Sequence, residues 1–226
     1  MDARWTLVTF CAAAYLIGSL PVGYWVTRWR RLGLDIRGYG SGNVGTANIY
    51  RHAGFGLAAV VGPIQFVQGL LPVLLAHSIG DVTGAGLVLV GIVAVVGNGW
   101  SLFLRFDGGR GVAVSTGAVA GLNLIALAVL LICFAAGALR GQIAEGVIAG
   151  FIVLPLAGVA VAVTPLRAGW ALPVGLAVLL LLILARRLDG VVGDVNHFGQ
   201  GQHVVLDRVI HDRRPGRPLV GHRTDP

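Results

Sequence analysis

The run VAVSTGAVAGLNLIALAVLLICFAAGAL, Val112–Leu139, decides how this chain is threaded. Its 28 mostly apolar residues read either as one long membrane-crossing helix or as two shorter ones. Charge further along the chain chooses between them. As a single helix the run leaves Arg140 outside, and after two more crossings the Arg186-Arg187 pair also falls outside, against the bias of arginine toward the cytoplasm. A break at Gly121-Leu122-Asn123 gives a short helix over residues 111–120 and another over 124–139. Arg140, Arg186 and Arg187 then all face the cytoplasm, and of the arginines beyond this run only Arg167 lies outside. The predicted fold is an all-α integral membrane protein with seven transmembrane helices, one of them short, an external N-terminus and a polar cytoplasmic tail.

Composition supports a membrane domain. Hydrophobic residues make up 56% of the 226, charged residues only 12%, and the mean hydropathy is +0.82, far above a soluble domain of this size. The remaining spans are predicted over residues 5–27, 53–77, 82–104, 143–163 and 170–185, with Pro21, Gly23 and Pro155 as kinks. Residues 1–188 are expected to form one membrane domain and 189–226 a tail of limited order, in which only 204–210 suits a strand or short helix. The net charge of +7 comes from 17 arginines and no lysine, which excludes lysine chemistry. Basic cytoplasmic loops beside anionic lipid account for that charge without a nucleic-acid partner. Cys11 and Cys133 lie in apolar runs and imply no disulfide framework.

Two polar, glycine-rich loops fall on the cytoplasmic side of this threading. The first, Gly40-Ser41-Gly42-Asn43-Val44-Gly45-Thr46-Ala47-Asn48-Ile49-Tyr50-Arg51, follows an arginine-rich link. Glycines let backbone amides converge on an anion, Ser41, Asn43 and Asn48 add neutral donors, and Arg51 adds a planar cation. The plainer alternative is a tight turn that only caps the next helix. Gly40-x-Gly42-x-x-Gly45 matches the dinucleotide fingerprint letter for letter, yet a membrane span precedes it where that fingerprint needs a strand. The second loop, Arg105-Phe106-Asp107-Gly108-Gly109-Arg110-Gly111, opens the short helix and places Arg110 at a helix N-terminus, where it serves either as a phosphate clamp or as an anchor to lipid headgroups. Asp107 is placed to hold Arg110 or Arg105. Gln65 and Gln68 share one face of the second span, for interhelical hydrogen bonding or for lining a polar cleft.

With these residues quoted, the chain resembles the bacterial membrane-bound acyl-phosphate:glycerol-3-phosphate acyltransferase family of the PlsY type. The resemblance starts at Tyr15-Leu16-Ile17-Gly18-Ser19-Leu20-Pro21-Val22-Gly23-Tyr24 and runs through Asp35-Ile36-Arg37 and Ser41 to Arg51. It resumes at Trp100-Ser101-Leu102-Phe103-Leu104-Arg105-Phe106 and at Gly108-Gly109-Arg110-Gly111-Val112-Ala113, so it covers about half the chain. It implies a multi-pass protein of the cell membrane with its active site toward the cytoplasm. The implied reaction moves an acyl group from acyl phosphate to glycerol 3-phosphate, giving lysophosphatidate and phosphate. The implied catalytic residues are Ser41, Arg51 and Arg110. Gly42, Asn43, Gly45 and Asn48 of the first loop and Gly108, Gly109 and Gly111 of the second would bind substrate. No metal or cofactor is implied, membrane lipids are expected partners, and the oligomeric state is left open.

The chain departs from the family pattern in four places. Asp107 stands where a basic residue is usual, Asn98 where a histidine is usual, and the loop Arg140-Gly141-Gln142-Ile143-Ala144-Glu145 lacks the usual serine. After the last span, Arg186-Arg187-Leu188-Asp189-Gly190 lacks the usual histidine and asparagine, which leaves Asp189 or Glu145 as the nearest candidates to accept the hydroxyl proton. A relative that binds a phosphate-bearing lipid or precursor without acyl transfer is therefore the alternative. Histidines 197, 203, 211 and 222 of the tail have irregular spacing, and His203 and Asp207 lack the gap of the histidine-aspartate dyad found in soluble-type glycerolipid acyltransferases.

Overall fold

The computed structural model describes residues 2–30, 35–163, 169–189, 191, 194 and 201–211. Among these, all regular structure is helical. The order is α1 (Ala3–Ser19), α2 (Val22–Arg30), α3 (Thr46–Ala53), α4 (Phe55–Ser78), α5 (Gly84–Gly99), α6 (Val112–Leu122), α7 (Leu124–Leu139), α8 (Ile143–Ala162), α9 (Ala171–Leu188) and α10 (Gly201–Val209). Five stretches, Ala3–Arg30, Phe55–Ser78, Gly84–Leu104, Ile143–Ala162 and Ala171–Leu188, are long and apolar enough to cross a membrane. Helices α6 and α7 are apolar but shorter, at 11 and 16 residues.

The break that decides the threading lies at Asn123. That residue is extended (φ −162°, ψ 120°), and its side chain accepts from Ala126 N at 2.9 Å, capping α7. Polar side chains repair the other break, at Pro21. Proline has no N–H to donate to Ile17 O; Gln68 Nε2 donates there at 2.7 Å and to Leu20 O at 3.0 Å. Ser101 Oγ donates to Ser19 O at 2.5 Å. The first span is thus two helices rather than one kinked helix, and its loose carbonyls are satisfied from α4 and from the loop after α5.

Glycines bring the helices close, as expected where lipid offers no hydrophobic drive to pack them. A Cβ at Gly69 would stand 1.9 Å from Val114 O and one at Gly117 1.9 Å from Phe66 O, so the α4 and α6 backbones touch. Gly18 and Gly97 make the same approach between α1 and α5. Around them Ala94, Val114, Phe151, Leu154, Leu176 and Ile183 form the main core.

One expectation is revised. Residues 46–53 are helix α3, so Asn48 and Arg51 stand on a helix rather than in a loop. At the other end, residues 201–209 form α10, packed on α9, the short helix that the 204–210 segment suits. The expected limited order of the tail falls largely on residues outside the described set, as does Arg167.

Candidate active site

The first loop is nailed down from below and wired from within. Ile36 and Ile49, both fully buried, and Val44, 3% exposed, pack with Ala58, Val61 and Leu104; each such aliphatic side chain contributes about 1.5–3 kcal/mol by burial. Asp35 starts the turn by accepting from Arg37 N (3.0 Å), Nε (3.0 Å) and Nη2 (2.8 Å). Those bonds from Arg37 hold the Asp35 carboxyl below the usual carboxylate range and raise Arg37 in return. The Arg37 guanidinium also lies over the Tyr24 ring, 4.8 Å from its centroid.

Asn48 is the hub of the loop. Its Nδ2 donates to Ile36 O (3.3 Å), Tyr39 O (3.1 Å) and Asn43 O (3.0 Å), and its Oδ1 accepts from Ser41 N (3.2 Å). At 1% exposure the amide shapes the loop through these four bonds. Gly40, at φ +52°, has room for no side chain, since a Cβ would come 2.1 Å from His52 Nε2. Burial, helped by the charge of Arg51, pushes the His52 imidazole below its usual pKa.

The second loop folds back on the end of α5. Arg105 and Phe106 take left-handed conformations, φ 54° and 65°, to reverse the chain. Gly108 N then donates to Gly99 O at 3.1 Å and Gly109 N to Asn98 O at 2.8 Å. These two amides therefore serve the fold, while Gly108 also borders the polar pocket described below. What remains for an anion here is Arg110, buried at 6% exposure, and the start of α6 at Gly111.

Asn43 joins the two loops. Its Oδ1 accepts from Gly45 N at 3.2 Å and, across 67 residues, from Arg110 N at 3.2 Å. Ser41 Oγ accepts from Asn43 N at 3.4 Å beside it. Two cavities meet at this joint. One, of about 550 Å³, is walled by Phe55, Phe66, Phe134 and Val147, with Gly45, Gly111, Arg51 and Arg187 also facing it. The other, of about 60 Å³, is polar and bounded by Ser41, Gly42, Gly108, Arg37, Arg186 and Arg208, with Asp107 and Asp189. Asn43 and Arg110 line both. Gln65 accepts from Thr46 Oγ1 at 3.0 Å and faces the large cavity, whereas Gln68 repairs α1, so the two glutamines take one expected role each.

The chain and its fold are matched by known proteins. A family model described as glycerol-3-phosphate acyltransferase matches residues 8–190. The chain belongs to the glycerol-3-phosphate acyltransferase family. Among its relatives, glycerol-3-phosphate acyltransferase 5 of Dehalococcoides mccartyi is 32% identical over 207 residues, 91% of this chain and 88% of that one. Glycerol-3-phosphate acyltransferase 1 of Deinococcus radiodurans is 40% identical over 149 residues, 63% of this chain and 74% of that one. Among solved structures, the integral membrane glycerol 3-phosphate acyltransferase PlsY (YgiH) in its glycerol 3-phosphate form superposes with a TM-score of 0.72 at 25% identity, over 87% of this chain and 93% of its own.

Sequence reasoning missed Arg186 as the member that holds the family's second glycine loop in place. Its Nε donates to Gly109 O at 3.2 Å and its Nη2 to Gly108 O at 2.9 Å, while the guanidinium lies 5.5 Å from the Trp100 ring centroid. It also pairs with Asp189 and, at 3.5 Å, with Asp107. Asp107 therefore holds Arg186, not the expected Arg110 or Arg105. Arg187 and Arg208 were missed as well. The only sequence signal for Arg187 was charge placed at the end of an apolar span, and Arg208, 20 residues past Leu188, had none of that kind.

Proposed function

We propose that this chain transfers an acyl group from acyl phosphate to a hydroxyl of glycerol 3-phosphate, giving 1-acyl-glycerol 3-phosphate and inorganic phosphate. The observation that carries this reading is the sharing of Asn43 and Arg110 by an apolar cavity and a polar one. An acyl chain fits the first by apolar burial, and a phosphate fits the second by charge. The scissile carbonyl then stands at the junction, beside Ser41, Asn43 and Arg110.

The acyl donor is a mixed anhydride whose phosphate leaves readily. The hydroxyl oxygen forms a bond to the carbonyl carbon, the carbon–oxygen bond to phosphate breaks, and the balance puts the hydroxyl proton on the departing phosphate. The protein's task is to hold the two reactants in line and to stabilise anionic charge. Arg110 and Arg51 are the cations at the junction and in the acyl cavity, and Ser41 and Asn43 orient the acceptor. Gly42, Gly45 and Gly111 keep the walls open. Gly108, Gly109 and Asn48 act through the backbone shape they impose.

The same reading places seven spans in the plasma membrane, an external N-terminus and the two loops on the cytoplasmic side, with residues 1–188 as the membrane domain and 189–226 as the tail. Single cysteines at Ser41, Asp107 and Asp189 should then be labelled only from the cytoplasmic side, and labelling of one of them from outside would overturn the count. The reaction is tested by supplying purified protein in lipid with acyl phosphate and glycerol 3-phosphate and following phosphate release. Wild type should show acceptor-dependent release, and Ser41→Ala, Arg51→Ala and Arg110→Ala should each lose at least tenfold. Folded wild type that binds glycerol 3-phosphate without releasing phosphate would favour the non-catalytic alternative.

A further inference from the structure

The polar pocket is not completed by the two glycine loops. Helix α10 lies beyond residues 8–190 that match the family, yet Arg208 on it reaches the pocket and is only 1% exposed. Three contacts seat that helix. Arg187 Nη1 donates to Val209 O. Arg208 Nε donates to Asp194 Oδ2 at 2.8 Å. His211 Nδ1 meets Glu145 Oε1 at 2.8 Å on the first turn of α8.

We infer that Arg208 is a substrate-binding residue, the ligand in the polar pocket for a terminal phosphate group, and that the His211–Glu145 contact positions it while Asp194 serves as its counter-charge. The inference rests on the acyl-transfer reading, in which both substrates carry such a group. Charge is the argument. Arg37, Arg110, Arg186 and Arg208 line the pocket against Asp107 and Asp189, a net charge of +2 for the lining, of which the Asp194 carboxylate paired with Arg208 offsets one. A phosphate monoester carries about −1.5 to −2 at pH 7. Burial sharpens the match, because a guanidinium shielded from water binds an oxyanion more strongly than one on the surface. The tail thus supplies a cation that the family-matched region lacks at this wall.

The test uses the full chain in lipid nanodiscs. Binding of glycerol 3-phosphate and of inorganic phosphate is measured by calorimetry, and KM is measured for each substrate. Arg208→Gln should weaken phosphate-group binding about tenfold, the loss of one charge-assisted contact, with kcat changed far less than KM. A KM rise confined to glycerol 3-phosphate assigns the pocket to the acceptor, and one confined to acyl phosphate assigns it to the donor. Asp194→Asn keeps the cation and should bind as tightly as wild type or more tightly. His211→Gln, which loosens the seat of α10, should weaken binding in the same direction as Arg208→Gln and add little to it.

Unchanged affinity in Arg208→Gln overturns the inference. So does an equal loss in Arg208→Gln and Asp194→Asn, the mark of a purely structural ion pair. If Arg208→Gln does not fold, Arg208→Lys decides, because it keeps the charge and loses the planar fork; a several-fold weaker affinity supports the role and an unchanged one overturns it. Wild type that binds both anions without turnover would sink the acyl-transfer reading and leave the role of Arg208 standing. Wild type that binds neither would sink both.

Discussion

Asn48 and Arg186 do similar work at the two glycine loops by opposite routes. Asn48 satisfies the first loop from inside it, with partners at positions 36, 39, 41 and 43. Arg186 satisfies the second loop from another helix, reaching Gly108 and Gly109 across 78 and 77 residues. The first loop carries its own apolar footing in Ile36, Val44 and Ile49. The second depends on how α9 packs against α5. A loop that closes on itself keeps its shape through neighbouring residues, whereas a loop held at long range keeps it only while the bundle is intact. The two are joined at one point, Asn43 Oδ1 to Arg110 N.

Breaking the long-range side should cost most. Arg186→Met keeps the bulk and removes the donors, leaving two loop carbonyls short of a partner at about 1–3 kcal/mol each. Expected are a fall of at least hundredfold in kcat/KM for phosphate release and a lower unfolding temperature. Near-wild-type turnover would show that the second loop stands without α9.

The local side should break less severely. Asn48→Ala removes a buried hub, and a loss of about thirtyfold in kcat/KM is expected, carried mainly by KM for glycerol 3-phosphate. The Asn48→Ala/Arg186→Met double variant sharpens the comparison. Coupling through Asn43 should make the two losses non-additive by about 1 kcal/mol, and strict additivity would mean that the loops act independently.

Gly40→Ala tests the first loop's backbone alone. The position combines φ +52° with a Cβ placed 2.1 Å from His52 Nε2, so a strain of about 1–3 kcal/mol is expected. Thermal unfolding should register it, together with an activity loss of about tenfold.

The smallest effect is the pH response of His52. Its folded pKa lies below the ordinary value of about 6.5 because of burial and then Arg51. Between those two values the unfolded chain takes up a proton that the native one refuses, so stability falls as pH drops below about 6.5 and levels off under the folded pKa. Unfolding temperatures measured from pH 7.5 to 5 should show this slope in wild type, and a flatter profile in His52→Gln.

Much of the fold was legible in residues because its signals are local. The apolar runs mark the spans, and Asn123 marks the break between α6 and α7 through the same short side chain that caps α7. The first glycine loop was legible as a site, since Gly40, Ser41, Asn43 and Asn48 are turn and hub residues whose bonds, Asn43 to Arg110 apart, reach no further than 12 positions. The α3 helix was overlooked because Gly45 and Gly54 bracket only eight residues, too short a run for a periodic pattern to stand out. Two sets of donors have partners that the sequence hides, for one reason. Asn48 and the amides of Gly108 and Gly109 carry suitable donors, and a sequence does not display that those donors are already used.

By itself, then, the sequence determined a helical membrane protein with two glycine-rich loops on one side, because hydropathy, charge bias and turn chemistry act over a few to about twenty residues. Only the tertiary structure decided that Gln68 mends the break at Pro21, that Arg186 clamps the second loop, and that Arg208 enters the polar pocket. Those side chains meet partners up to 79 residues away, at places set by which helices pack together and how closely their glycines let them approach.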